Sequence, residues 1–382
     1  MKRKAAPAPD SDTADPEAED AEIARAPAEV RHRDELDRLA AADQYARPAG
    51  WRLSPRMVEK FILGDAALDI QPKFVGDRDL AQLAIASLAS DRALLLTGPP
   101  GTAKSWLSEH LAAAISGTSQ LVIQGTAGIT EDQVKYTWNY ALLLAEGPGE
   151  RSLVPAPILS GMRAGLLVRF EEVTRCAPEV QDTLISILSE KAIAIPELEA
   201  VQPARRGFNV IATANTRDRG VNDMSAALRR RFSFVSLPAL TDVEVETALV
   251  LRRTRELMSD YRIQAEIPTD AVATLVQIFA EIRTGQTLEG SAKVRRSEGA
   301  MSTAEAISSL YSAAIMAAHF GDGVVGGREL LQAVAGAITQ EGEQAIFDEY
   351  LDSVVRHRQG RYWKEMYEIR RDERAAPGRS DS

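Results

Sequence analysis

The 382-residue sequence has a single cysteine, Cys176, so no internal disulfide can form. Its four histidines, His32, His110, His319 and His357, are scattered without the spacing of metal ligands, which argues against a structural metal site. No uninterrupted apolar run approaches the roughly 18 residues that a membrane span needs. The N-terminus is charged and then acidic, unlike the apolar core of a secretory signal. These absences predict a soluble, cytoplasmic protein with no membrane span. An excess of basic residues is also missing, because the formal net charge is -10. Nucleic-acid binding needs a concentrated basic surface to release counterions, so nucleic acid is not expected as a partner unless an oligomer assembles a local basic patch. No internal repeat is found.

What is present organises the chain into two folded units with flanking segments, as its length requires. Residues 1–50 are rich in Ala, Pro, Asp and Glu, with only a short helical pattern from Val30 to Tyr45, and are expected to form a disordered acidic tail. From Trp51 the apolar density rises, and Leu80, Leu83, Ala84, Ser87 and Leu88 mark one face of a helix. Ala93 to Thr97 is a short apolar run stopped by Gly98 and two prolines, the pattern of a buried parallel strand, and Ser105 to Ile115 then reads as a helix. Further strand-like runs at Leu121–Ile123, Leu166–Phe170, Phe208–Ala212 and Phe234–Leu237 alternate with helical stretches such as Val180–Glu190. This alternation predicts an α/β unit, a parallel sheet covered by helices, over residues 51–240. After Pro238 the pattern is almost wholly helical, giving a smaller all-α unit over 241–345. Residues 346–382 mix Tyr350, Tyr362, Trp363 and Tyr367 with many charges and are expected to be a partly helical C-terminal segment, either a docking helix or a frayed tail.

Four elements carry chemistry. The first is the loop Gly98, Pro99, Pro100, Gly101, Thr102, Ala103, Lys104 and Ser105, followed by Trp106, placed after an apolar strand and before a helix. Backbone N–H groups from Gly101 to Ser105 can surround a phosphate at the positive end of that helix. Lys104 is suited to neutralise the phosphates, and Ser105 to give a hydroxyl ligand to Mg2+. Ala103 stands where glycine is usual, which is harmless if the backbone there is helical and costly if φ is positive. The second element is the strand Leu166 to Phe170, which ends in Glu171 and Glu172. Nucleotide hydrolysis uses one acid toward the metal and another to polarise water, and adjacent strand residues point opposite ways, so the pair can divide those tasks. Third, Phe208 to Ala214 delivers Asn215, a polar tip able to position water and a terminal phosphate. Fourth, Arg229, Arg230 and Arg231 end a helical stretch, where one of them can reach a neighbouring subunit's nucleotide. Cations also favour a helix C-terminus for structural reasons alone.

In this order and spacing the four elements resemble the AAA+ ATPases, specifically the MoxR branch, from about Phe74 to Ala318. The resemblance implies an AAA+ P-loop domain followed by an all-α lid, binding ATP and Mg2+. It makes Lys104 the Walker A lysine, Glu171 and Glu172 the Walker B pair, Asn215 sensor 1, and Arg231 the arginine finger with Arg230 second. Leu142 to Arg163 and Ile193 to Leu198 are similar to that branch's insertions, where a client would be engaged, and by themselves also read as a long loop and a surface hairpin. The family's sensor 2 arginine has no counterpart in Met301 to Ala306, leaving Arg295 or Arg296 as substitutes or a weaker coupling of the lid. The implied activity is ATP hydrolysis in a homohexameric ring that remodels or matures a partner complex, with a von Willebrand factor A domain protein as the expected partner. Two other readings stay open on the residues. One is a nucleotide-dependent scaffold with little turnover, kept open by Glu171 and the absent sensor 2 arginine. The other is a DNA-acting motor, which the acidic balance disfavours.

Overall fold

The computed structural model of the chain describes residues 24–215, 223–296, 301–338 and 343–375. A one-turn helix at Ala28–Arg31 leads into α1 (Arg33–Ala42), α2 (Pro55–Leu63) and α3 (Arg78–Ala89). Then β1 (Ala93–Gly98) enters the centre of the molecule, followed by α4 (Lys104–Ser116) and β2 (Val122–Gln124). The strands β3 (Tyr136–Trp138) and β4 (Leu153–Pro155) pair antiparallel around α5 (Tyr140–Glu146), and α6 (Pro157–Ala164) follows. The chain returns to the sheet through β5 (Leu167–Glu171), α7 (Pro178–Glu190), the antiparallel ribbon β6 (Ala192–Ile195) and β7 (Ala200–Pro203), then β8 (Asn209–Asn215) and β9 (Phe232–Ser236). The helical unit contains α8 (Val243–Asp260), α9 (Thr269–Thr284), α10 (Thr303–Phe320), α11 (Gly327–Ala337), α12 (Glu343–Ser353) and α13 (Arg361–Ala375).

The main sheet has five strands in the order β2-β5-β8-β1-β9, all paired in parallel. Alternation along β1 explains why it is apolar throughout. Leu94 and Leu96 pack with α2, α3 and α4 on one face, whereas Ala93 and Leu95 pack with α6 and α7 on the other. A strand covered on both sides has no polar face to display. Because β5, β8 and β1 are neighbours, their C-terminal ends lie side by side at one edge. Crevices beyond the carboxyl ends of parallel strands are where ligands bind in open α/β sheets.

One expectation at the chain's ends is corrected. Within the segment expected to be a tail, residues 24–50 are ordered against the α/β unit: Leu36 and Leu39 of α1 are 0% exposed and join the cluster of Phe61, Ile62 and Leu111. Asp43 accepts the N–H of Ser54 at 2.7 Å, and Arg25 pairs with Glu109 at 2.7 Å. Two leucines one turn apart suffice to dock a charged helix when an apolar face awaits it, which local composition does not report. Residues 1–23 of the expected tail lie outside the described residues. The C-terminal segment is helical as expected and docks rather than frays, since Tyr350, Leu351, Tyr362, Trp363 and Met366 pack with Leu275, Phe279 and Leu310. The Tyr350 hydroxyl donates to Glu281 at 2.7 Å, and Arg358 pairs with the same carboxylate at 2.5 Å. Two of the segment's polar side chains therefore satisfy a fully buried Glu281.

Among the described residues, no helix is long and apolar enough to cross a membrane.

Candidate functional site

The loop after β1 is shaped by residues that tolerate no substitute. Gly98 has φ 152° and lies so close to the chain after β9 that a Cβ would sit 2.3 Å from the Leu237 carbonyl oxygen. Gly101 has φ 74°, and a Cβ there would meet the Cβ of Ser302, at the start of α10, at 2.2 Å. Ala103 adopts φ 62° and ψ 24°, so the harmless helical alternative is not the one taken. A left-handed alanine costs roughly 1–2 kcal/mol, a strain held where the chain turns into α4. Lys104, buried at the first helical position, donates from Nζ to the carbonyls of Pro99 at 2.7 Å and Gly98 at 3.1 Å. Thr102 closes the loop by donating its hydroxyl to Pro99 at 3.0 Å.

At the end of β5 the two acids do separate, by a different device from strand alternation. The strand stops at Glu171, and Glu172 turns into a left-handed conformation with φ 53° and ψ 44°. Glu171 is almost fully buried and accepts from Ser105 Oγ and Ser108 Oγ at 2.6 Å each, from Thr213 Oγ1 at 2.8 Å and from Arg169 Nη2 at 2.8 Å. Burial alone pushes its carboxyl up, but the Arg169 guanidinium and the three hydroxyls outweigh that and hold it below the usual carboxylate value. The extra methylene of glutamate is thereby folded back beside Ser105. Together the Ser105 hydroxyl and the Glu171 carboxylate form an all-oxygen donor set, which suits a hard cation such as Mg2+.

Glu172 is half-exposed, and its carboxylate pairs with Arg175 at 2.7 Å. Its N–H donates to Thr213 Oγ1 at 2.9 Å, so one threonine hydroxyl ties the backbone of one acid to the carboxylate of the other. Gly125 completes the turn, since a Cβ there would fall 2.3 Å from the Glu172 carbonyl oxygen. Asn215, at the tip of β8, is in register with Gly98 of the neighbouring strand. Lys104, Ser105, Glu171, Glu172 and Asn215 thus converge on one edge of the sheet.

The arginines lie apart from this edge. Arg231 is held by Ser189 Oγ and the Ala227 carbonyl, and Arg229 lies over the Phe234 ring at 5.6 Å. The Arg230 side chain is exposed, with no hydrogen bond or ion pair to another described residue. Neither Arg295 nor Arg296 is buried. At the start of α10, the Ser302 hydroxyl and Glu305 carboxylate cap the helix, and no arginine occupies its first turn. Trp106 is fixed by a hydrogen bond from its indole N–H to the Lys73 carbonyl at 2.7 Å.

Several contributors escaped sequence reasoning. Thr213 shares a strand face with Asn215 and was readable in principle from period two. Ser108 sits one turn after Ser105 and was likewise accessible from helical spacing. Gly125 and Arg175 carry no local signal. Arg169 was visible as a charge inside a strand, but its partner followed only from the fold.

Residues 93–232 match the model of the AAA domain, dynein-related subfamily, and residues 244–373 match that of the YehL-like AAA+ ATPase C-terminal domain. The chain is 42% identical over 353 residues to the uncharacterized protein YehL of Escherichia coli strain K12, covering 91% of this chain and 97% of that one. It is 26% identical over 214 residues to the uncharacterized protein YojN of Bacillus subtilis strain 168, covering 56% of this chain and 67% of YojN. Among solved structures, NtrX from Brucella abortus in complex with ADP aligns with a TM-score of 0.47 at 15% identity, over 77% of this chain and 61% of that one.

Proposed function

The chain belongs to the YehL-like AAA+ ATPases, and from that premise we propose that it binds ATP with Mg2+ and hydrolyses it. The observation that carries this reading is the meeting of Ser105 and Glu171 at 2.6 Å beside Lys104, with Glu172 and Asn215 on the same edge. Lys104 and the loop N–H groups would hold the phosphates, Ser105 and Glu171 the metal. Bound there, Mg2+ supplies charge stabilisation to the transferring phosphoryl group. Glu172 would accept a proton from the attacking water once it leaves Arg175, and Asn215 would orient that water. The residues fit such ligands because every donor needed is present and Glu171 is kept ionised by its partners.

At a finer level, the reading is a MoxR-type ring, whose subunits complete one another's sites through Arg230 or Arg231 and remodel a client protein complex. A von Willebrand factor A domain protein is the proposed partner class. The two segments offered to such a client are the β3–β4 insertion, where Tyr140 and Leu144 are exposed, and the β6–β7 ribbon, where Val201 is exposed. A scaffold with little turnover is the second reading, favoured by the Glu172–Arg175 ion pair and the absence of arginine from the first turn of α10.

Steady-state ATP hydrolysis against protein concentration, for the native chain and Glu172→Gln side by side, separates the two. A rate per subunit that rises with concentration and vanishes in the variant supports an assembly-dependent ATPase. ATP bound without turnover in either chain would leave the scaffold.

A further inference from the structure

Trp106 follows the metal-binding Ser105 directly and belongs to the first turn of α4, yet its ring is held mainly by residues from elsewhere. Its indole N–H reaches the Lys73 carbonyl at 2.7 Å. One flank carries His110, with ring centroids 4.2 Å apart and Nδ1 bonded to the Trp106 carbonyl at 2.8 Å. Arg253 comes from α8 of the helical unit, with its guanidinium carbon 4.1 Å from the indole centroid. The preceding residue, Arg252, donates to the Pro72 carbonyl at 2.8 Å, next to the residue that holds the indole edge. Two consecutive arginines of the helical unit therefore grip the phosphate-loop helix and the loop that precedes α3.

Other charged routes between the units are taken. Arg283 is committed to Glu246 at 2.8 Å and to the carbonyls of Met301 and Leu240 at 3.0 and 3.2 Å. The Ser302 hydroxyl and the Glu305 carboxylate cap α10. Where Ser302 touches Gly101 the contact is between uncharged atoms, with no cation from α10 facing the loop. Arg253 is partly desolvated, the condition in which a cation over an indole face is attracted most strongly.

We infer that Arg253, acting through Trp106, is the positioning residue that couples nucleotide at the phosphate loop to the helical unit, in place of a sensor 2 arginine. Any adjustment of the first turn of α4 moves an indole held at its edge by Lys73 and packed against His110, with Arg253 at 4.1 Å and Arg31 at 5.8 Å from its centroid, and the ring presses on or releases α8. The inference rests on the ATP-binding reading above.

The test uses the full chain carrying Glu172→Gln, so that ATP persists, and follows amide hydrogen exchange with and without Mg-ATP. In that chain ATP slows exchange in both α4 and α8. Adding Arg253→Met leaves the slowing in α4 and reduces that in α8 by about tenfold, within the usual range for coupled sites. Arg253→Lys, which keeps a cation on the ring, retains most of it. Trp106→Leu removes the other half of the contact and gives the pattern of Arg253→Met, so the test survives if either variant folds poorly. Undiminished slowing of α8 in both Arg253→Met and Trp106→Leu would overturn the coupling. Absence of any ATP effect on α4 while Arg253 is intact would instead overturn the ATP-binding reading itself.

Discussion

Arg169 and Glu171 lie on one face of β5, with their charges 2.8 Å apart and both side chains almost out of solvent. Removing one partner of such a pair strands the other, at a cost of about 3–5 kcal/mol. Arg169→Met is therefore expected to destabilise the fold by that order, and Arg169→Met with Glu171→Gln to recover much of the loss, as a double-mutant cycle in urea unfolding would show. A pH dependence accompanies it. The Glu171 carboxyl sits below its ordinary 4.5 in the folded chain, so its contribution is fully present above that value and is lost as pH falls through the lower folded one. Without Arg169, burial raises the carboxyl, and the loss on acidification begins at higher pH. Unfolding curves that shift in parallel for native and Arg169→Met chains at every pH would refute this role. At this scale much of the site was legible: Lys104, Ser105, Glu171, Glu172 and Asn215 each stand where a strand meets a turn. What the sequence could not show was that Arg169, an apparent misfit in an apolar strand, is the neutralising charge for a glutamate in place of aspartate.

At the level of elements, strands and helices with long apolar patterns were readable, because burial on both faces or on one face leaves a periodic trace. The antiparallel ribbon β6–β7 was readable as a surface hairpin, but the pairing of β3 with β4 was not, since three-residue strands are too short to show alternation. The N-terminal end misled for a physical reason: α1 is densely charged, and its few buried residues count only against a partner surface. Leu39 offers a direct check. It is 0% exposed among the residues of α2 and α4, so Leu39→Ala is expected to cost about 2–5 kcal/mol. A thermal or urea midpoint unchanged from the native chain would mean that α1 is a detachable tail after all. Full-length protein suits this measurement, because the remaining contacts of the segment, such as Ser119 Oγ to Glu29 at 2.7 Å, stay in place.

For the whole molecule the open question is where the site gets its last cation. Among the described residues of one chain, Lys104 is buried against its own loop carbonyls and Arg169 and Arg175 are paired with acids, and the ring proposed above would bring a further positive charge to the terminal phosphate from a neighbouring subunit. Arg231 is engaged by Ser189 and the Ala227 carbonyl, whereas Arg230 projects beside it from the surface. The order proposed from sequence, Arg231 before Arg230, is therefore better reversed. An arginine supplied in trans accelerates phosphoryl transfer by about 10³–10⁵-fold, so Arg230→Ala is expected to bind nucleotide normally and lose at least about 10³-fold in assembly-dependent turnover, with Arg231→Ala less affected. Mixing decides whether the charge crosses an interface. In a mixture of Arg230→Ala and Lys104→Ala subunits, some interfaces pair an intact phosphate loop from the first with an intact Arg230 from the second. Turnover should then reappear, although each variant alone is inactive. Continued inactivity of mixtures that demonstrably co-assemble would place the effect of Arg230 inside its own subunit.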